Sequence, residues 1–249
     1  MSRVVCWFSG GVTSAVATKL TLEKYGGREE VDIIFFETGN HHTDNVRFFK
    51  DCEKWFGQSI TIFEHEKHDD IYSVFRKRKF INSPFGAPCT LVLKKRVRQD
   101  WERKVDFKKN YLGQVFGFEF EPKEVGRAER FEKEFPYTKP MFPLIDSYLT
   151  KKDCLRILEE NGIEPPVMYQ LGYANNNCVG CVKGGMGYWN KIRIDFPEVF
   201  DKMAVLEREL NATCIKGEYL DELDPARGRM SKPYVESCGS FCDNLDGIN

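Results

Sequence analysis

No charge of one sign prevails in this chain of 249 residues: 37 lysines and arginines stand against 38 aspartates and glutamates. A global positive field that would draw nucleic acid nonspecifically is thereby excluded, while a local basic patch is not. Long apolar runs are missing too. The opening MSRVVCWFSGG has one arginine and a short apolar stretch that breaks at glycines, so it reads as neither a signal peptide nor a membrane helix. The cytoplasm is the expected location, with no membrane partner. The chain also lacks internal repeats and low-complexity segments. With 41% hydrophobic and 14% aromatic residues it can bury an ordinary core, which excludes wholesale disorder.

Cysteine is plentiful by contrast. Nine cysteines in a reducing compartment are poor candidates for disulfides, and an odd count points to metal ligands or reactive thiols for some of them. Their spacing has to separate these roles.

The chain is organised as alternating strands and helices. Arg3 to Phe8 is an apolar run ending at Ser-Gly-Gly, and Val12 to Tyr25 carries apolar residues at helical spacing. Val31 to Phe36 predicts a second strand, Thr43 to Phe56 a second helix and Ser59 to Phe63 a third strand. Beyond them, Lys94 to Lys104 predicts a basic helix, Tyr111 to Phe118 a central strand and Thr150 to Glu160 a further helix. Such alternation implies an α/β fold with a mainly parallel sheet and helices on both faces. From Tyr173 the pattern fades into a segment rich in Asn, Gly and Cys, with one clear helix at Pro197 to Leu210. Two parts are therefore expected: an α/β domain over residues 1–170 and a cysteine-containing C-terminal subregion over 171–249 packed on it.

Ser9-Gly10-Gly11-Val12-Thr13-Ser14 sits where the first strand hands over to the first helix. Glycines let backbone N–H groups approach an anion, the helix N-terminus adds partial positive charge, and the hydroxyls of Ser9, Thr13 and Ser14 can donate to phosphate oxygens. A Walker loop is excluded because no Gly-Lys-Ser/Thr follows, and a dinucleotide fingerprint because no third glycine has the required spacing. The segment resembles the SGGxDS signature of the PP-loop ATP pyrophosphatase superfamily. That family cleaves ATP between the α- and β-phosphates or binds related adenylyl compounds. Thr13 stands where the signature has Asp, so the resemblance implies phosphate binding more firmly than ATP cleavage. After the second strand, Glu37-Thr38-Gly39-Asn40-His41-His42-Thr43-Asp44 resembles the DTG stretch of the phosphoadenylylsulfate (PAPS) reductase-like branch. There the corresponding loop lies over the nucleotide, which implies nucleotide contacts for Glu37, Thr38, Gly39 and Asp44. His41 and His42 read equally as a solvated loop pair, because no metal-ligand spacing links them.

Cys178-Val179-Gly180-Cys181 is a CxxC on a glycine-bearing turn, a spacing that lets two thiolates converge on one metal. Cys238 and Cys242 form a second pair that could close the site. Four thiolates suit structural zinc or an iron-sulfur cluster. Pro88-Cys89-Thr90, with Leu93-Lys94-Lys95-Arg96-Val97 downstream, resembles the CCxxRKVxPL segment of the cluster-bearing adenylylsulfate reductases. In those enzymes the double cysteine and a CxxC farther on hold a [4Fe-4S] cluster. The resemblance thus implies Cys89, Cys178 and Cys181 as ligands, with the fourth from Cys238 or Cys242. Glu236-Ser237-Cys238-Gly239 is also similar to the reductases' C-terminal ECG segment, which implies a catalytic role for Cys238 as nucleophile toward sulfonucleotide sulfur. Cys6, Cys52, Cys154 and Cys214 read as small buried hydrophobes. Glu64-His65-Glu66-Lys67-His68 does not reproduce HExxH, so a zinc-protease reading fails on spacing.

Among the basic residues, the resemblance singles out Lys94, as a catalytic residue, and Arg127 as contacts for phosphate or sulfate. It implies an enzyme of sulfonucleotide reduction or sulfur transfer. Its cofactors would be ATP or a PAPS/APS-type nucleotide, a [4Fe-4S] cluster or alternatively zinc, and magnesium where ATP is used. A sulfur donor or thiol reductant and a tRNA or DNA acceptor are further partners it admits, and homo-oligomerisation stays open. The rival from another class is a non-catalytic nucleotide-binding module with structural zinc.

Overall fold

The computed structural model describes residues 3–27, 30–83, 86–233, 235 and 241. In chain order its elements are β1 (Arg3–Trp7), α1 (Val12–Tyr25), β2 (Glu30–Phe36), α2 (Asn45–Phe56), β3 (Thr61–Phe63) and α3 (Ile71–Arg78). A π-helix (Thr90–Arg96) follows, then α4 (Val97–Lys104), α5 (Phe107–Asn110), β4 (Tyr111–Val115), α6 (Pro122–Glu134) and β5 (Pro140–Met141). The chain continues through α7 (Pro143–Asp146), α8 (Lys151–Glu160), α9 (Val167–Gln170), α10 (Met186–Asp195) and α11 (Pro197–Leu210). The described residues form two compact units that alternate along the chain. One takes in 1–36, 43–63 and 101–167, and the other 37–42, 64–100 and 168–249.

The first unit holds a five-stranded sheet in the order β3-β2-β1-β4-β5, parallel throughout. Parallel strands covered on both faces must be apolar on both faces. Accordingly Val4, Val5 and Cys6 of β1 and Ile33, Ile34 and Phe35 of β2 are all buried. The strand order moves one way from β1 to β3 and the other way from β4 to β5. Right-handed crossovers therefore place α1 and α2 on one face and α6 on the other. α1 is buried almost all round, contacting α2, α7 and α8 as well as the sheet. The hydroxyl of its inward-facing Thr21 is satisfied by the Ala17 carbonyl at 2.8 Å. On the α6 face, the Phe131 ring lies 4.6 Å from that of Phe116, just past β4. α8 begins with a reciprocal capping box: Asp153 accepts from the Thr150 backbone N–H while Thr150 Oγ1 accepts from the Asp153 N–H.

The second unit has a core of its own, in which Phe75 of α3, Leu93 of the π-helix, Trp189 of α10 and Met203 and Leu206 of α11 are wholly buried. The expectation of one clear helix after Tyr173 is corrected here, because α10 precedes α11 and packs on it. Gly187, Tyr188, Trp189, Asn190 and Ile192 of α10 are all buried, so the helix shows no apolar stripe against a polar face. Glu207 of α11 is buried too, and its carboxylate accepts the backbone N–H groups of Cys214 at 2.5 Å and Leu220 at 2.7 Å. Among the described residues no helix is long and apolar enough to cross a membrane.

Candidate functional site

In the first unit, Ser9 to Ser14 leave the carboxyl end of β1, next to the point where the strand order reverses between β1 and β4. Ligands of open parallel sheets gather at such a switch point. The turn is held by its own hydroxyls. Ser14 Oγ accepts from the Ser9 N–H at 3.1 Å and the Ser9 hydroxyl at 3.0 Å, and donates to the Gly11 carbonyl at 2.9 Å. Gly11 caps α1 with no side-chain hydrogen bond, and the first turn carries no acidic residue. The helix thus presents its positive end without a built-in anion. Gly117, just past β4, lies against this turn: a Cβ there would stand 2.8 Å from the N and Cα of Ser14. Only glycine lets the two backbones approach so closely. Sequence reasoning did not single out Gly117, and its only signal was a lone glycine after a strand.

Two other expected nucleotide residues in this unit are tied into its framework. Asp44 receives a two-point clasp from Arg47, Nε to Oδ1 at 2.7 Å and a terminal nitrogen to Oδ2 at 2.9 Å, and also accepts the Val167 N–H at 2.9 Å. Arg127 pairs with Glu124 at 3.2 Å and lies over the Phe118 ring at 4.3 Å.

The second unit brings together Glu37, Thr38, Gly39, His41, Lys94 and Cys178. One oxygen of Glu37 accepts the backbone N–H of Thr38 at 2.7 Å, that of Gly39 at 2.7 Å and His41 Nδ1–H at 2.9 Å. The turn requires Gly39, whose φ is +69° and whose missing Cβ would overlap the Asp69 carbonyl oxygen. Cys178 Sγ sits 3.0 Å from Thr38 Oγ1 and 4.0 Å from His41 Nε2. The two segments are joined directly, the Val179 N–H donating to the Asn40 carbonyl at 2.7 Å. The Tyr188 hydroxyl holds the CxxC turn, accepting from the Cys181 N–H at 2.9 Å and donating to the Cys178 carbonyl at 3.1 Å.

This arrangement sets the charges. Burial works to raise the Cys178 thiol, but the charge and hydrogen bond of His41, with Lys94 and Thr38 adding to them, bring it down to about 6. Burial likewise opposes protonation of His41, and Cys178 and Glu37 together lift it to about 9. Glu37 resists its own partial burial because His41 and the two backbone donors stabilise its anion, leaving it at about 2. Each of the three shifts thus favours the charged form of its group over the neutral one. His41 is the residue that sequence reasoning undervalued. Its side chain is 8% exposed, and the available signal was its spacing of four from Glu37.

The expected metal ligands Cys89, Cys178 and Cys181 all belong to the second unit. Cys181 is buried in the second unit's core, while Cys89 and Cys178 are packed against that core's edge. Among the described residues no three His, Cys, Asp or Glu side chains are grouped to hold a metal ion. Cys238 and Cys242 lie outside the described residues. Cys6, Cys52, Cys154 and Cys214 are buried, as expected of small apolar side chains.

The fold and this loop define an α/β protein with an all-parallel sheet and a glycine turn at the carboxyl end of its first strand. No family model matches the chain. Among curated proteins it is 23% identical over 216 residues to the uncharacterized protein MJ0066 of Methanocaldococcus jannaschii, covering 83% of this chain and 42% of that protein. The chain thus spans less than half the length of the relative it matches. Among solved structures it is similar to the PAPS reductase from Candida auris in its phosphate complex, at 13% identity and a TM-score of 0.47, over 70% of this chain and 80% of that one. It is also similar to the U34-tRNA thiolase NcsA from Methanococcus maripaludis with its [4Fe-4S] cluster, at 13% identity and a TM-score of 0.45, over 84% of this chain and 72% of that one.

Proposed function

We propose that this chain is a PP-loop, PAPS reductase-like enzyme that binds the phosphates of an adenine nucleotide or sulfonucleotide at Ser9 to Ser14 and acts in sulfur chemistry. The observation that carries this reading is the glycine turn at the sheet's switch point, opening an α-helix with neither side-chain cap nor first-turn acid. An anion there meets backbone N–H groups and a helix dipole in an orientation fixed before binding. The Thr13 hydroxyl would take the place of the motif carboxylate, leaving charge stabilisation to backbone amides and to bound magnesium where ATP is the ligand. Either a sulfonucleotide is reduced, or an acceptor such as tRNA or DNA is activated by adenylylation before sulfur is delivered. No step here is routed through a metal centre.

Titration calorimetry with ATP-magnesium and with APS and PAPS tests the reading. Saturable binding of at least one nucleotide is expected, weakened about tenfold or more in Gly11→Asp, which sets a carboxylate at the helix N-terminus. If none of the three binds, the proposal fails. Pyrophosphate release on incubation with ATP, compared between the native chain and Thr13→Asp, then separates cleavage from binding. Metal analysis of anaerobically purified protein measures whether Cys238 or Cys242 completes a centre in the whole chain.

A further inference from the structure

We propose that the last turn of α3, from Arg76 to Lys79, is a docking surface for the phosphate backbone of an RNA acceptor. The choice of RNA among polyanions rests on the acceptor route of the function above; the cationic surface itself rests on the second unit alone.

The sequence concentrates positive charge here. From Ile71 to Gln99 there is no acidic residue, while lysine and arginine fill positions 76–79, 94–96 and 98, in a chain whose formal net charge is -1. The fold turns part of that run outward. Ile71, Tyr72, Val74 and Phe75 bury the inner face of α3 in the second unit's core, and Arg76, Lys77 and Lys79 stand exposed at the helix end. One cation at this end would complement the helix dipole, whereas neighbouring like charges repel one another. Arg76 is held by Glu209 of α11, its Nε 3.0 Å from both carboxylate oxygens, but Lys77 and Lys79 have no ion pair among the described residues. The backbone at Lys79 is a second, independent sign. Lys79 caps the helix in the left-handed conformation, with φ +51° and ψ +41°, and its N–H donates to the Phe75 carbonyl. Glycine is the residue this position favours, so a lysine there carries a cost in backbone energy. What it adds over glycine is its charge.

A phosphate backbone is the ligand such a surface fits. Ammonium groups on flexible stems meet phosphate oxygens as point charges, which positions a nucleic acid without reading its bases. α3 has eight residues and is exposed only in its last turn, so it cannot lie in a DNA major groove as a recognition helix does. Contact with a folded RNA needs no such entry, because RNA helices are recognised largely by shape and by their backbone. No covalent step takes place at this surface.

The test measures fluorescence anisotropy of a labelled RNA stem-loop with the whole chain over a range of salt concentrations. Saturable binding is expected, weakening as salt rises. Lys77→Glu combined with Lys79→Glu should weaken it about tenfold or more and reduce the slope of log K against log salt by about 1 to 2. Lys50→Glu combined with Lys54→Glu, exposed on α2 and equal in charge change, should stay within about threefold of the native chain. Lys79→Gly separates binding from folding. It removes one cation and gives the left-handed position its preferred residue, so the urea midpoint should rise while RNA affinity falls about threefold. A DNA duplex of equal length, polyglutamate and phosphatidylserine vesicles serve as rival ligands, and each should bind more weakly than the RNA. Absence of RNA binding at low salt, unchanged affinity in the Lys77, Lys79 double variant or in Lys79→Gly, an equal loss in the α2 variant, or a rival bound as tightly as the RNA overturns the proposal. Calorimetry with ATP and PAPS keeps the two readings apart. Nucleotide binding without RNA binding sinks this inference and leaves the function above standing; RNA binding without nucleotide binding does the reverse.

Discussion

The two units treat a buried thiol in opposite ways. In the first, Cys6 and Cys154 are buried, and burial is the main reason each is pushed up to about 12. Both therefore stay protonated and inert at neutral pH. In the second unit Cys178 is also withdrawn from water, yet it falls to about 6, because His41, Lys94 and Thr38 outweigh the cost of burial. The same unit supplies its own control. Cys214, with Glu207 beside it, has no such compensation and is driven well above its ordinary value by burial first and by that carboxylate second. Burial alone silences a thiol, and what reverses it is donors and positive charge placed by segments distant in sequence. Glu37 to His41 and Cys178 are more than a hundred residues apart.

The largest way to break this contrast is at the turn that carries the relay. Gly39→Ala forces a Cβ onto the Asp69 carbonyl in a left-handed backbone conformation, and a loss of about 3 kcal/mol in urea unfolding is expected. The Cys178 alkylation rate should drop toward that of Cys181 in the same variant. Glu207→Ala should come next, at about 2 kcal/mol, since it leaves the buried N–H groups of Cys214 and Leu220 without their acceptor. If urea unfolding of that variant matches the native chain, the carboxylate is not the anchor the geometry implies.

The pH dependence sharpens the comparison further. Cys178 lies below its unfolded value, so its contribution is full above about 9 and is lost as pH falls through about 6. His41 lies above its unfolded value, so its contribution is full below about 6.5 and is lost as pH rises through about 9. Between those limits the proton that Cys178 releases on folding is the one His41 keeps, and the two slopes cancel. Glu37 adds stability that is present above about 4.5 and lost as pH falls toward 2. Subtracting the stability profile of a Glu37→Gln, His41→Gln, Cys178→Ser triple variant from that of the native chain should leave a plateau from about 6.5 upward with a fall on the acid side only. A steady slope across that window would show that the imidazolium–thiolate pair does not form. The smallest effect belongs to the exposed pair Arg76–Glu209, 3.0 Å apart: Arg76→Ala should cost no more than about 0.5 kcal/mol and leave Cys178 untouched.

Much of the first unit was legible because its elements are local. β1, α1 and β2 fall where the apolar runs and glycine stops predicted them, and α8 announces itself with a threonine cap. α6 was not legible, since only Ala128 and Phe131 are buried along its thirteen residues, too few for a periodic stripe. β5 has two residues and carries no pattern at all. In the second unit α10 escaped for the opposite reason, being buried on nearly every side.

Local order in this chain is written in the spacing of apolar residues and in glycines at strand ends, so an α/β fold, a parallel sheet and a glycine turn at the end of the first strand follow from the amino acids alone. The role of a thiol does not follow. Nine cysteines look alike in a sequence, and the neighbours of each sulfur are not written there. Tertiary structure decided that Cys178 meets Thr38 and His41 while Cys181 turns into the core. The physical reason is that a thiol's charge depends on donors and charges within a few ångströms, and folding brings those from anywhere along the chain.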